Sequence, residues 1–509
     1  MDRYKTFAVA CKGGLILTAD PLTLASQFQG SATFLINYEA SQKGGYRRIG
    51  GHQKLSTTAV PGSGAVLGVA VFGAGVIACR GVNVYYGTGG SWGSPLNGTA
   101  RTGAVKYRFA RYNWTGVDRI MMVDGANHAA RWDGTTYTSI THINAPNNGK
   151  YIETFANHIF IAGYSANPGA IRWSGTLDDA DWSVAKGGGE LVVGDTVVGL
   201  KTFRNELIIF CQNSIFKLTG TSAVNFVLER ITDEIGCVAP DSIQEIGGDL
   251  VFLAPDGVRP LGATARIGDV QLASVSRQIQ PVIVGNDITT IANIASVVVP
   301  SLNVYRLYYN DTTVPDADGR GISGSPLRSV AETPAFGGWE WAELSGTRPF
   351  CMDFGYVNNE EYIVFGDYNG FVHRQEQGDT FDGVNISALY VTSPMVMDDP
   401  NVRKIPHSLK LAVSVETTTE LQINAVFDLQ DTNTLQPQPV FLSLESILAL
   451  YGNGVYGSAE YGANPSGITR KIYTAGSGMY VQYAFFCSGP TNAHTIQGFT
   501  IEYLLGGRR

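Results

Sequence analysis

Two acidic clusters invite a chemical reading. Asp178, Asp179 and Asp181 lie between Trp173 and Trp182 and could hold a cation, but short acidic runs of this kind more often cap a turn. They read as a connection between strands. DADG at 316–319 has part of a calcium-loop pattern without the bidentate glutamate downstream, and reads as a surface turn. The histidines (His52, His128, His142, His158, His373, His407 and His494) are scattered without HxxxH or HExxH, so no zinc ligand set is expected. The six cysteines lie far apart, with no CxxC. Cys79, Cys211 and Cys487 end apolar runs (VIAC, IIFC, AFFC), which predicts buried free thiols in a chain made in a reducing compartment. GVNVYYGTGGSWG at 81–93 does not open a helix after a strand, and GxSxG and GxxxxGK[ST] are absent. The expectation is no enzyme, no cofactor and no metal.

The elements that would carry such groups are strands. Of 509 residues, 61 are Gly, and only 16 % are charged against the usual ~25 %. Hydrophobic residues make up 44 % and aromatic ones 11 %, which excludes a disordered chain and a coiled coil. Glycine turns between β-branched and aromatic runs predict an all-β protein. The net charge of −8 argues against a protein that neutralises nucleic-acid phosphates. Residues 1–60 carry seven Lys/Arg and three acids, a net of +4, which leaves −12 for the remainder. The apolar stretch 7–11 is too short for a secretory signal. The run 65–79, broken by Gly68, Gly73 and Gly75, falls short of a membrane span.

An apolar strand, a short Gly/Asn/Asp turn and a second strand recur from positions 76, 119, 158, 207, 250, 304 and 362. Hairpins repeating every ~40–50 residues predict a β-propeller. Six to seven blades are expected over 61–383, the sixth blurred by the polar insertion after Asn310. From 384 to 509 longer alternating strands predict a C-terminal β-sandwich. It is interrupted by a Tyr/Gly loop at 447–465, whose Tyr451, Tyr456 and Tyr461 are candidate partner contacts. Residues 1–60 form a leader outside the repeat: either a strand closing the last blade or an arm reaching a neighbouring subunit, with Arg47 and Arg48 as candidate contacts. A propeller raises the question of sialidase-like glycosidases. Ser165 to Trp173 comes close to their Asp-box, but Asn167 replaces the aspartate, the aromatic is one residue late, and no other blade repeats it.

Three segments carry a family resemblance. The leader runs from Gly13-Gly14-Leu15 through Asp20-Pro21 and Asn37-Tyr38-Glu39 to Gly44-Gly45-Tyr46-Arg47-Arg48-Ile49-Gly50-Gly51. One blade runs from Ile235-Gly236-Cys237 through Ser242-Ile243 and Asp249 to Pro255-Asp256-Gly257-Val258-Arg259. The end runs from Gly498-Phe499 through Glu502-Tyr503 to Gly506-Gly507-Arg508-Arg509, with Tyr390 to Pro394 and Lys404 upstream. They resemble the tail nozzle proteins (tail tubular protein B) of short-tailed bacteriophages. The resemblance implies a structural virion protein, assembled in the bacterial cytoplasm into a homohexameric ring of the tail below an adaptor protein. That ring would conduct and gate the genome, which passes without specific binding, and would anchor fibres, spikes or a needle. This chain is short for the family, which puts the inserted domains of longer members in doubt. The alternative is a tail-fibre propeller that binds or cleaves host glycans.

Overall fold

The computed structural model describes residues 4–164, 166–262, 274–289, 293–310, 319–326, 338–415, 419–444, 468–489 and 493–508. The chain is all-β, with a few short helical turns.

Each sequence hairpin lands on the second and third strands of a small antiparallel sheet, and the apolar run before it supplies the first strand. The first sheet is Val66–Phe72, Gly75–Arg80 and Asn83–Gly87. The second (Arg108–Tyr112, Arg119–Val123, Ala130–Trp132, Tyr137–Ser139), the third (Tyr151–Phe155, His158–Ala162, Ala170–Trp173, Gly189–Val192) and the fourth (Val197–Phe203, Glu206–Cys211, Ile215–Thr219, Val227–Thr232) have four strands in chain order. The fifth has three, Gln244–Ile246, Asp249–Ala254 and Gly257–Pro260. Ile294–Val299, Val304–Tyr309, Arg320–Pro326 and Trp339–Ser345 form the sixth, and the seventh begins with Pro349–Val357, Glu360–Asp367 and Val372–Gln375. A strand of period two exposes two faces, and each sheet buries both against its neighbours. Cys79 packs with Trp132 between the first and second sheets, and Met121 with Ile161 between the second and third. Phe160 packs with Leu207 between the third and fourth, and Phe210 with Phe252 between the fourth and fifth. The Tyr305 hydroxyl donates to the Ser242 carbonyl (2.9 Å) between the fifth and sixth, and Val299 meets Ile363 between the sixth and seventh. Val364 of the seventh sheet packs with Val66 and Val71 of the first.

The leader is built into this body. His52–Lys54 pairs with Val372–Gln375 and so extends the seventh sheet, which continues through Thr380–Phe381 and Val384–Asn385. Of the two roles open to the leader, the strand at the last repeat is therefore the one seen within the chain. Ala32–Ile36 lies between Trp339–Ser345 and Ala388–Thr392. The sixth sheet thereby runs on as one nine-stranded sheet through Val481–Cys487 and Thr419–Phe427 to Val440–Leu444. The boundary expected at 383/384 falls inside a hairpin, where Phe381 pairs with Val384. A six-stranded sheet joins the two ends of the chain. Lys5–Ala10, Val402–Val415 and Tyr46–Arg48 all pair with His494–Arg508, while Tyr38–Ala40 and Ile468–Tyr473 lie outermost. It packs on the nine-stranded sheet through Leu409, Leu411, Phe499 and Ile501 against Tyr483, Phe485 and Phe427, with the Tyr483 and Phe499 ring centroids 5.8 Å apart.

The glycines of the leader have a steric reason. Gly14 sits at φ +66°, and a Cβ there would lie 2.6 Å from the Trp341 nitrogen; Gly45 sits at φ +82°, where a Cβ would lie 2.2 Å from the Ile496 carbonyl oxygen.

Candidate functional site

The first strands of all seven sheets meet at a cavity of about 180 Å³. Lys106 and Arg108, two positions apart, share one face of the chain at this wall. The second sheet contributes Lys106, Arg108 and Arg111, in which apolar or aromatic neighbours separate the cations, and these side chains reach across the cavity. Arg108 donates Nε and Nη2 to the two Asp241 carboxylate oxygens, both at 2.8 Å, and Lys106 Nζ lies 3.0 Å from the same carboxylate. Lys106 also donates to the Ile294 carbonyl at 2.9 Å. Arg111 pairs with Asp353, which accepts the Val71 amide at 2.7 Å. Second, fifth, sixth and seventh sheets are thereby tied together by charge-assisted bonds. Burial alone would raise the Asp241 pKa, but the charges of Arg108 and Lys106 outweigh it and hold the carboxyl well below its usual range. A general acid of glycoside hydrolysis needs the opposite shift.

A smaller cavity of about 120 Å³ lies beside His52 and His373, which are 321 positions apart in sequence. Pairing of the leader strand with the seventh sheet brings their rings to 5.0 Å, edge to face, and His373 Nε2 lies 3.1 Å from Asp367. Burial, reinforced by the neighbouring His373, lowers the His52 pKa to about 3.

Arg47 and Arg48 are turned inward. Arg48 is buried and donates to the Asp379 carbonyl (3.0 Å), and Arg47 donates to Glu376 (3.1 Å). Arg306 of the sixth sheet, 2 % exposed, completes this cluster. It donates to both Glu39 oxygens (3.2 and 2.7 Å), to Glu376 (2.7 Å) and to Gln375 (3.1 Å). Within the chain, both leader arginines therefore serve internal contacts: Arg47 meets Glu39 and Glu376, and Arg48 meets the Asp379 carbonyl. Tyr451, Tyr456 and Tyr461 lie outside the described residues, as do Asp316 and Asp318 of the DADG turn and Ser165 of the Asp-box-like segment. The loop holding the three tyrosines connects Val440–Leu444 of the nine-stranded sheet to Ile468–Tyr473 of the six-stranded one.

The remaining sequence candidates are structural. Trp173 packs in the core and donates to the Gly187 carbonyl (2.9 Å). Asp178 accepts the Ala180 and Asp181 amides of its own turn. Asp179, buried, accepts from Tyr112 and Arg131 and pairs with Arg119, tying the third sheet's connection to the second sheet. All six cysteines are buried and outside any disulfide; burial pushes Cys11, Cys211, Cys237 and Cys351 up to about 12. Among the described residues, no group of three or more His, Cys, Asp or Glu side chains could hold a metal ion, and no helix is long and apolar enough to cross a membrane.

No family model matches the chain, and no curated protein does. Among solved structures, it is similar to the extracellular domain of a putative one-component system from B. thetaiotaomicron, at 10 % identity and TM-score 0.39, over 66 % of this chain and 41 % of that one. The chain thus spans about two fifths of that protein's length. It is also similar to an exo-β-1,3-galactanase from Phanerochaete chrysosporium, at 10 % identity and TM-score 0.27, over 89 % of this chain and 100 % of that one. At such TM-scores neither likeness carries an argument about activity.

Proposed function

We propose that this chain is a structural virion protein, a subunit of the tail nozzle of a short-tailed bacteriophage. It would work as a homohexameric ring that conducts and gates the genome during ejection and anchors fibres, spikes or a needle, beneath an adaptor. One observation carries this reading. Two of the three resemblance-bearing segments, far apart in sequence, meet in one place: Val9 pairs with Phe499, Tyr46 with Ile496, and Ala32 with Thr392 beside the 390–394 stretch. The Gly30 carbonyl accepts both the Tyr46 and Tyr390 hydroxyls, at 3.1 and 3.2 Å. Tyr46, Tyr390, Thr392 and Phe499 of these motifs thus sit at the joint between the leader and the C-terminal strands, as expected if the family's fold is what they encode.

In the same reading the seven sheets are blades of a seven-bladed propeller and the two terminal sheets a sandwich. The succession of inter-sheet cores, with the seventh sheet packed on the first, supports it. The propeller axis is not the conduit. It is crossed by the Arg108–Asp241 and Lys106–Asp241 bridges around a cavity of about 180 Å³, and a duplex whose major groove alone is about 12 Å wide does not fit there. The channel would then lie between copies, and the protein would act by guidance and attachment in the virion tail, after assembly in the host cytoplasm. Mass photometry of the purified chain or tail tests this: particles of six times the 54.6 kDa chain support it, and a stable monomer that never joins a tail overturns it.

The second reading, a tail-fibre propeller that binds or cleaves host glycans, is favoured by the polar cavity itself. Release of reducing sugar from capsular polysaccharide would establish it over the first.

A further inference from the structure

The cavity where the seven first strands meet holds more positive charge than negative. Lys106 and Arg108 share the single carboxylate of Asp241, while Arg111 and Asp353 form a separate pair. Lys201, half-buried on the first strand of the fourth sheet, lines the same cavity. Among the described residues its ammonium has neither an ion pair nor a hydrogen bond, though its backbone pairs with Ile208. Gly199, two residues earlier and so on the same face of that strand, looks at the fifth sheet: a Cβ there would lie 2.5 Å from Ile243 Cδ1 and 3.8 Å from Pro240 Cα. Lys201 therefore flanks the segment that carries Asp241. Glu153, the remaining carboxylate of the wall, accepts the Thr154 amide at 2.9 Å and makes no ion pair among the described residues. Four cations (Lys106, Arg108, Arg111 and Lys201) thus face three carboxylates (Glu153, Asp241 and Asp353) in a space partly withdrawn from water, where unmatched charge is costly. A further anion would relieve that cost. The volume equals that of about six water molecules at ~30 Å³ each, room for an oxyanion group and its remaining waters.

We propose that this cavity is a binding site for a small oxyanion, a phosphate, sulfate or carboxylate group, held by Lys201 together with Arg108 and Lys106. The Lys201 ammonium and the Arg108 N–H groups not used on Asp241 and the Lys150 carbonyl supply charge-assisted hydrogen bonds, and Lys106, whose three donors go to Asp241, Asn293 and the Ile294 carbonyl, adds its charge. The site is independent of the nozzle reading, because it uses groups within one chain.

The test is the unfolding midpoint of the full chain in sodium phosphate, sodium acetate, sodium chloride and glucose, the salts at equal ionic strength. The expected result is a saturable rise with phosphate or acetate above chloride, and whichever anion acts identifies the group. Lys201→Met should weaken it about ten-fold or more, the worth of one charge-assisted hydrogen bond. Lys201→Arg should keep it, and Lys186→Met, at an exposed lysine outside the cavity, should leave it unchanged. The proposal is overturned if neither anion exceeds chloride, if Lys201→Met responds as the parent does, or if glucose alone raises the midpoint.

Discussion

Replacing Arg306 with Met removes the guanidinium that joins the leader to the sixth and seventh sheets while keeping much of its volume. The side chain is 2 % exposed and makes four hydrogen bonds to Glu39, Glu376 and Gln375. Without it, Glu39, itself 2 % exposed, keeps only Arg47 at 3.6 Å, and Glu376 keeps Arg47 at 3.1 Å. Breaking a buried ion pair by removing one partner costs about 3–5 kcal/mol, mostly through the charge left behind. Because Arg47 still serves both carboxylates, the lower end, about 3 kcal/mol, is expected at pH 7. The pH dependence gives a second readout. Burial would raise the Glu376 pKa, but Arg306 and Arg47 outweigh it and depress it. Its contribution is present above the unfolded value of ~4.3 and is lost as pH falls through the folded value. In Arg306→Met the Glu376 carboxylate loses part of what depresses it and can protonate at acid pH, so the deficit should shrink between pH 7 and pH 4. Equilibrium urea unfolding at both pH values measures this, and Arg306→Met/Glu39→Gln should recover part of the loss. A deficit below about 1 kcal/mol at pH 7, or one equal at both pH values, would refute the reasoning.

The depressed His52 pKa, about 3 folded against ~6.5 unfolded, means that the unfolded chain binds the extra proton. Stability should therefore fall as pH drops from ~6.5 towards 3, by up to about 1.4 kcal/mol per pH unit, and His52→Phe should flatten that slope in acid unfolding curves. Thiols pushed up to about 12 by burial should ignore Ellman's reagent at pH 8 until the chain unfolds; rapid labelling of the native protein would contradict the packing. Changing Tyr451, Tyr456 and Tyr461 together to Ser should impair assembly or ejection while leaving the melting of the isolated chain unchanged, as size analysis and calorimetry would show.

The repeating hairpins were legible because each is local: its turn and both strands lie within about 20 residues, and all seven starting positions fall on the second strand of a sheet. The leader's strands were legible only as one of two alternatives, and their partners were not. His52–Lys54 and Ala32–Ile36 span three and five residues, too few for a pattern, and pair with strands more than 300 positions away. For the same reason Arg47 and Arg48 read as a basic contact patch, since only the fold supplies Glu376 and the Asp379 carbonyl. The cavity where the seven first strands meet escaped notice because each contributes a residue or a few. One signal was available: Lys106 and Arg108 alternate with Tyr107 and Phe109, which puts two cations on one face of a strand otherwise suited to a core. Asp179 looked like a turn residue because its partners, Tyr112, Arg119 and Arg131, lie on a different sheet.

The central claim, a ring whose conduit lies between copies, is tested most directly by a cryo-EM map of the assembled particle. The expected map has six copies around an open channel, with every Arg108–Asp241 bridge intact and away from that channel. Density for nucleic acid through the seven sheets of a single copy, or particles of one chain only, would contradict it.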